Sequence, residues 1–214
     1  MLIQRIDSKF DELLFLARKK ILREFKKEYK KKKDYLLALF ALGEFDYSKY
    51  RLKMLDSKIN NTVDDILEEI FVVFFDWLWK FYPSEITFEE LNDQTLYDLN
   101  WKDRVYNNKV ILMNRIFKAF SEAKSPKDFE KLVAKIYVSS AGSLDALIIT
   151  ELNRIENETA LNYCKKKHLK WKWVAYKDER TCNDCMVRDG RVFTTKDKFP
   201  PLHPRCRCHA QPLE

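Results

Sequence analysis

A chain of 214 residues can bury a sizeable core, so it has no need of disulfides or metal merely to fold. With 46% hydrophobic and 34% charged residues it has the composition of a soluble globular protein, and only three glycines leave few tight turns, which favours helices over a turn-rich β architecture. The formal net charge of +7 is spread unevenly: residues 1–60 carry 16 basic and 9 acidic side chains, and residues 61–100 carry 1 and 10.

No basic-then-apolar leader ending in a small-residue cleavage site is read at the N-terminus, which places synthesis in a reducing compartment. Phe10, Leu13, Leu14, Ala17, Ile21, Phe25 and Tyr29 then recur at helical spacing. They predict an amphipathic helix whose outer face is Arg18, Lys19, Lys20, Arg23, Lys26 and Lys27, running into Lys30, Lys31, Lys32 and Lys33. A second helix is predicted from Thr62, with Asp65 three residues on as in a capping box, and with Ile66, Ile70, Phe74, Trp77 and Phe81 as its stripe. Its apolar stretch Ile70–Tyr82 has thirteen residues and includes Asp76 and Lys80, whereas a bilayer span needs about twenty. It reads as a core helix, arguing against membrane contact, and Pro83 ends it.

Residues 84–100 read as a connection or short helices, and residues 101–123 as another long helix. Ser125-Pro126 starts the next in the manner of an N-cap and first-turn proline, with Phe129, Leu132, Val133, Ile136 and Tyr137 buried. Gly142 and Ser143 are expected to interrupt it, and Leu144, Leu147, Ile148, Leu152 and Ile155 carry a last helix to about Lys167. From Trp171 the period changes to two, predicting a strand, and Asp189-Gly190 between "CMVR" and "RVF" predicts a hairpin. The expected fold is therefore mainly α, a helical body over 1–170 with a basic arm over 1–60, carrying a small C-terminal β-hairpin metal module over 171–214.

Four of the five cysteines lie in that module. Cys182 and Cys185 have the two-residue gap that lets one turn of backbone aim two thiolates at one tetrahedral ion, and His203 and Cys206 repeat the gap after seventeen intervening residues. This mixture of thiolate and imidazole suits structural zinc, whose four positions are contested by Cys182, Cys185, His203, Cys206, Cys208 and His209. Cys182, Cys185, His203 and Cys206 are the favoured set, with Cys208 the substitute. Two disulfides in an oxidising compartment are the non-metal alternative. Cys164 reads as a buried small residue.

Four protein ligands leave no open position for a reactive water. No deaminase histidine-x-glutamate, HExxH, phosphate-binding glycine loop or GxSxG occurs, so no enzyme and no small-molecule substrate is expected. Lys26, Lys27, Lys30–Lys33 and Lys165, Lys166, Lys167 are candidate contacts for a phosphate backbone. Trp171 and Trp173 read as cover for a small core in preference to stacking platforms for bases.

The strand "WKWVAY", "DERTCNDC" (Asp178–Cys185), "DGRVF" and "PPLHPRCRC" (Pro200–Cys208) together resemble the phage Mu F-like minor head proteins, also called phage head morphogenesis proteins. Upstream, "NRIENETALN" (Asn153–Asn162) is similar to that family's Arg-Thr-Glu helix, with Arg154 and Glu156 matching and Ile155 in place of the threonine. The resemblance runs over Asn153–Cys208 and more loosely over Trp101–Ser140, leaving residues 1–100 outside it. It implies a minor capsid protein of a tailed phage, made in the host cytoplasm and resident in the virion at the portal vertex or capsid interior. Its implied partners are the portal protein, the inner capsid or scaffold and packaged double-stranded DNA. A zinc-containing effector acting on nucleic acid and a membrane-active DNA ejection protein are the rival readings.

Overall fold

The computed structural model describes residues 2–43, 46, 58–83, 85–93 and 99–214. Along the chain come α1 (Leu2–Leu42), α2 (Lys58–Trp79), α3 (Phe88–Asn92), α4 (Trp101–Glu122), α5 (Pro126–Lys167), β1 (Lys170–Val174), α6 (Asn183–Met186), β2 (Val192–Phe193) and β3 (His209–Leu213). Among the described residues the protein is mainly helical with a small three-stranded antiparallel sheet near the C-terminus.

Two compact units are built from interleaved parts of the sequence. One comprises Ala17–Leu67 and Lys102–Asp145. Its core joins Leu36 of α1 to Leu112, Met113, Ile116 and Ala119 of α4 and to Phe129, Val133 and Tyr137 of α5. Phe40 stacks on Phe129 with ring centroids 4.8 Å apart and meets Phe120 edge-on. Ion pairs link Lys33 to Glu130, Arg18 to Asp145 and Lys109 to Asp64 at the edges of this core.

The other unit comprises Met1–Leu16, Glu68–Trp101 and Ala146–Glu214. Phe10 of α1 meets Phe74 of α2 edge-on, and Phe71 meets Trp101 in the same way. The sheet has strand order β2-β1-β3, with Trp171 opposite Phe193 and Pro212, and Trp173 opposite Ala210. Trp171 and Trp173 are fully buried among Leu161, Cys164, Cys185, Cys206, Cys208 and Ala210. They are core, as their alternation with Lys170, Lys172 and Val174 implies.

Several expectations need correction. The second helix starts at Lys58, so Thr62 and Asp65 lie inside it. An aspartate is one methylene short of the Glu or Gln that reaches back in a capping box. The full box forms at Thr87 and Glu90, where Glu90 N donates to Thr87 Oγ1 (3.2 Å) and Thr87 N donates to Glu90 Oε2 (2.8 Å). The buried side of α2 is also broader than the expected stripe: Val63, Leu67, Phe71, Phe75 and Leu78 are buried, while Ile66, Trp77 and Phe81 are only partly so. This helix ends at Trp79 in a turn ahead of Pro83. The side chains of Phe25 and Tyr29 lie outside the described residues.

Asp189-Gly190 does not close a hairpin between "CMVR" and "RVF". Asn183–Met186 is a helical turn, and β2 pairs with β1 instead. Gly190, at φ +74°, still makes the reversal that leads into β2, with its N–H donating to Trp173 O (2.9 Å).

The largest difference is in α5, which runs unbroken for 42 residues through Gly142 and Ser143. Ser125 caps its start by accepting from Asp128 N, as expected (3.2 Å). A glycine costs a helix interior only about 1 kcal/mol against alanine. Buried side chains on both flanks, Tyr137 and Ser140 before it and Leu144, Leu147 and Ile148 after it, outweigh that cost. A Cβ added at Gly142 would meet nothing within 4 Å. Gly142→Ala is therefore expected to stabilise the protein by about 0.4–1 kcal/mol, read as a rise in Tm of roughly 1–4 °C. A fall in Tm on thermal unfolding would show that the glycine is a hinge.

Candidate metal centre and the polar rail beneath it

Cys182 is the N-cap of α6, and Cys185 sits one turn on, its N–H donating to Cys182 O (3.1 Å). That single turn points both sulfurs to the same side. The second pair is held similarly: Cys206 N donates to His203 O (3.2 Å), and Arg205 takes the left-handed conformation at φ +62° to make the turn. His203 Nδ1 lies 2.9 Å from Pro204 O, a contact in which Nδ1–H donates and the Nε2 lone pair is left facing the thiols.

Nε2 of His203 is 3.3 Å from Cys182 Sγ and 3.5 Å from Cys185 Sγ, and Cys185 Sγ is 3.8 Å from Cys206 Sγ. A tetrahedral ion with thiolate bonds of about 2.3 Å and imidazole bonds of about 2.0–2.1 Å has ligand–ligand edges of roughly 3.8 Å (S–S) and 3.5 Å (S–N). These three spacings, out of the six edges of such a site, fit those values. The donors form two overlapping triads, Cys182–Cys185–His203 and Cys185–Cys206–Cys208, which share Cys185 and could hold a metal ion.

The cluster crowds its thiols against one another. A hydrogen bond from the Cys208 thiol pulls Cys206 down to about 5, while burial and the neighbouring Cys206 sulfur push Cys185 up to about 12. Cys208 is pushed up, first by its role as donor to Cys206 and then by burial. A divalent ion would remove this competition by stabilising every thiolate at once. Cys164 is fully buried, packs against the module's core and has its thiol pushed up to about 11 by burial, as a structural cysteine would.

Beneath the cluster runs a rail of buried polar residues on α5: Thr150, Glu151, Asn153, Arg154, Glu156, Asn157 and Thr159. Asn153 and Asn157 both donate to the carbonyl of Cys208 (3.0 and 3.1 Å), and Asn157 Oδ1 accepts from Ala210 N (2.6 Å). Thr150 Oγ1 accepts from Arg205 N (3.0 Å). The backbone of residues 205–210, from the turn at Arg205 into the start of β3, is thus held by α5 side chains. Arg154 pairs with Glu151 (3.0 Å) and donates to Leu91 O (3.0 Å), tying α3 to the same rail.

The two residues flanking Cys208 face charged partners. His209 Nδ1 lies 2.5 Å from Glu156 Oε1, and its Nε2 lies 3.3 Å from Asp7 Oδ1, an ion-pair distance without hydrogen-bond alignment. Burial disfavours a charged imidazole here, but the carboxylates of Glu156 and Asp7 outweigh it and push His209 up to about 10. His209 is therefore spent on this clamp. Arg207 pairs with Asp11 (3.0 Å) and lies over the rings of Tyr176 (3.8 Å) and Phe10 (4.7 Å). The segment that carries Cys206 and Cys208 thereby holds the first turns of α1.

The candidate phosphate contacts lie apart from this centre in role. Lys26, Lys27, Lys30 and Lys31 are exposed on α1 with Lys32 and Lys33 partly buried, Lys27 pairing with Glu24 and Lys33 with Glu130. Lys165, Lys166 and Lys167 are exposed in the last turn of α5, where cations complement the helix dipole, and Lys166 pairs with Glu85.

The family model for phage Mu protein F like protein matches residues 111–211. Over these residues, a little under half of the chain, the sequence is similar to the phage Mu F-like family. The match takes in most of α4, all of α5 and every donor of the metal cluster. Phage Mu F-like proteins are phage head morphogenesis proteins, a structural type associated with the virion, and interact with other capsid components. No curated protein and no solved structure gives a significant match to the chain.

Sequence reasoning singled out Arg154 and Glu156 by resemblance but not Thr150, Asn153 or Asn157 as docking residues. The available signal is the spacing of Thr150, Asn153 and Asn157 at i, i+3 and i+7, which puts all three on one helix face. Asn157→Ala would leave Ala210 N–H unpaired and halve the donors to Cys208 O, so it is expected to cost about 1–3 kcal/mol. Denaturant unfolding should register that loss, and a cost below about 0.5 kcal/mol would mean that the rail is not what holds the module.

Proposed function

We propose that this protein is a minor capsid protein of a tailed phage, associated with the portal vertex and acting in procapsid assembly. The observation that carries the reading is the phage Mu F-like match over residues 111–211, which takes in the buried polar side chains of α5 and the backbone that they hold. A protein that must keep its shape while contacting a capsid needs rigid presentation, and the rail on α5 supports that use. Ile70, Phe71, Phe74, Phe75, Leu78 and Tyr82 are buried, so the aromatic segment that would serve membrane-active ejection is committed to the core. By length and composition α5 could cross a bilayer, but its buried Glu151, Asn153, Arg154, Glu156 and Asn157 bond to the protein itself.

The metal in this reading is structural zinc, held by Cys182, Cys185, His203 and Cys206, with Cys208 as the substitute ligand. The three donor spacings that match tetrahedral edges support it. Zinc would staple α6 to the 203–206 turn, and the rail would carry that constraint into α5. Contact with packaged double-stranded DNA falls to Lys165, Lys166 and Lys167, which are exposed together at one helix end. The α1 lysines share their face with exposed apolar side chains, which a phosphate backbone does not complement.

Elemental analysis of the purified protein is expected to give about one zinc per chain, with thiols at 182, 185 and 206 reactive only after chelation. Cys185→Ser should abolish zinc retention while Cys164→Ser leaves it unchanged; absent zinc with oxidised cysteines would replace the staple by disulfides. In purified procapsids and filled heads the chain should be found by mass spectrometry and should co-purify with the portal protein. Its consistent absence from heads would sink the capsid reading. The triple alanine variant at 165–167 should still enter procapsids but bind duplex DNA with a log–log salt slope shallower by about 2–3.

A further inference from the structure

Two helices present opposite charge on matching surfaces. On α1, Lys19, Arg23, Lys26 and Lys30 follow one another at i, i+4, i+7 and i+11, which puts them on a single exposed face opposite buried Ala17 and Ile21. On α2, Asp65, Glu69 and Asp76 follow at i, i+4 and i+11, on the exposed face opposite buried Leu67, Phe74 and Leu78. Each ladder spans about 16 Å at 1.5 Å per residue. The acidic ladder has the partly buried Val72 at its i+7 position, so the two surfaces have the same length and opposite sign.

Both ladders are bordered by apolar side chains that remain partly exposed. Phe15 (64% exposed) and Leu22 (44%) flank the cations of α1, and Val73 (43%) and Trp79 (48%) flank the acids of α2. Exposed apolar side chains beside a charged ladder suit a protein–protein contact, in which burial of the apolar groups supplies affinity and the charges set register and partner. A phosphate backbone would use the cations and gain nothing from Phe15 or Leu22. Exposed ion pairs alone contribute little, so the apolar border decides the occupant.

We propose that α1 of one copy docks its Lys19–Lys30 face on the Asp65–Asp76 face of α2 in a second copy of this chain. The contact joins two different surfaces, so it is heterologous and can propagate from copy to copy, closing into a ring where the rotation allows. It stands independently of the capsid reading and of the metal, since neither ladder includes a donor of the metal centre.

Sedimentation of the full chain, with zinc retained, tests the contact. Species larger than the 25.8 kDa monomer are expected at micromolar concentration. They should weaken about tenfold or more as salt rises from about 50 to about 500 mM. The variant Lys19→Glu, Lys26→Glu, Lys30→Glu and the variant Asp65→Lys, Asp76→Lys should each be monomeric, with unchanged helicity by circular dichroism. Mixed together they should associate again, because each then offers a face complementary to the other. A wild-type monomer at every concentration and salt overturns the proposal. So does a monomer whose duplex DNA binding is lost in the Lys19→Glu, Lys26→Glu, Lys30→Glu variant, an outcome that would give the α1 face to nucleic acid. Failure of the mixed variants to re-associate would overturn it as well.

Discussion

The carbonyl of Cys208, accepting from Asn153 and Asn157, is the bond on which the C-terminal half of the structure depends. The segment around it carries donors of the metal cluster, has little apolar surface of its own, and would otherwise bury backbone groups without partners. Asn157 completes the match by accepting from Ala210 N, so one amide side chain satisfies both polarities of the incoming strand. Buried amides of this kind fix register: a slip of one residue along 205–210 would leave three polar groups unpaired at once.

From that anchor the constraint spreads in two directions within the same unit. Toward the sheet, Cys206 and Cys208 pack with Cys185, Trp171 and Trp173, so the thiol cluster is also part of the core. Toward α1, Arg207 and His209 engage Asp7, Asp11, Phe10 and Glu156, which converts the spaces between the cysteines into contacts with the N-terminal helix. Alternate residues of the segment 206–209, which leads into β3, therefore serve the cluster and the helices. His209 shows the consequence: a residue with the chemistry of a ligand is held by two carboxylates on the other side of the strand.

Much of the fold was legible in the sequence. The helical periods of α1, α4 and α5, the proline and serine at the start of α5 and the period-two stretch at Trp171 each correspond to an observed element, because those signals are local. What misled were also local signals: Gly142 as a break, Thr62 as a cap and Asp189-Gly190 as a hairpin. In each case burial or pairing with a distant segment outweighed a preference of about 1 kcal/mol or less. The gap of two between Cys182 and Cys185 and between His203 and Cys206 marked donors that the structure gathers into groups able to hold a metal ion.

By itself the sequence determined which chemical groups were present and how far apart along the chain: thiols and imidazoles in pairs, cations and acids in ladders, apolar residues at helical period. Spacing of that kind is fixed by backbone geometry and is readable wherever the element is regular. Only the tertiary structure decided that His209 turns away from the other donors, that Asn153 and Asn157 meet at one carbonyl, and that Gly142 lies within an unbroken helix. Those outcomes depend on segments some 50 residues apart being brought within hydrogen-bond distance, or on burial summed over both flanks of a helix. No local preference encodes either, because the free energy that settles them belongs to contacts that exist only once the chain has folded.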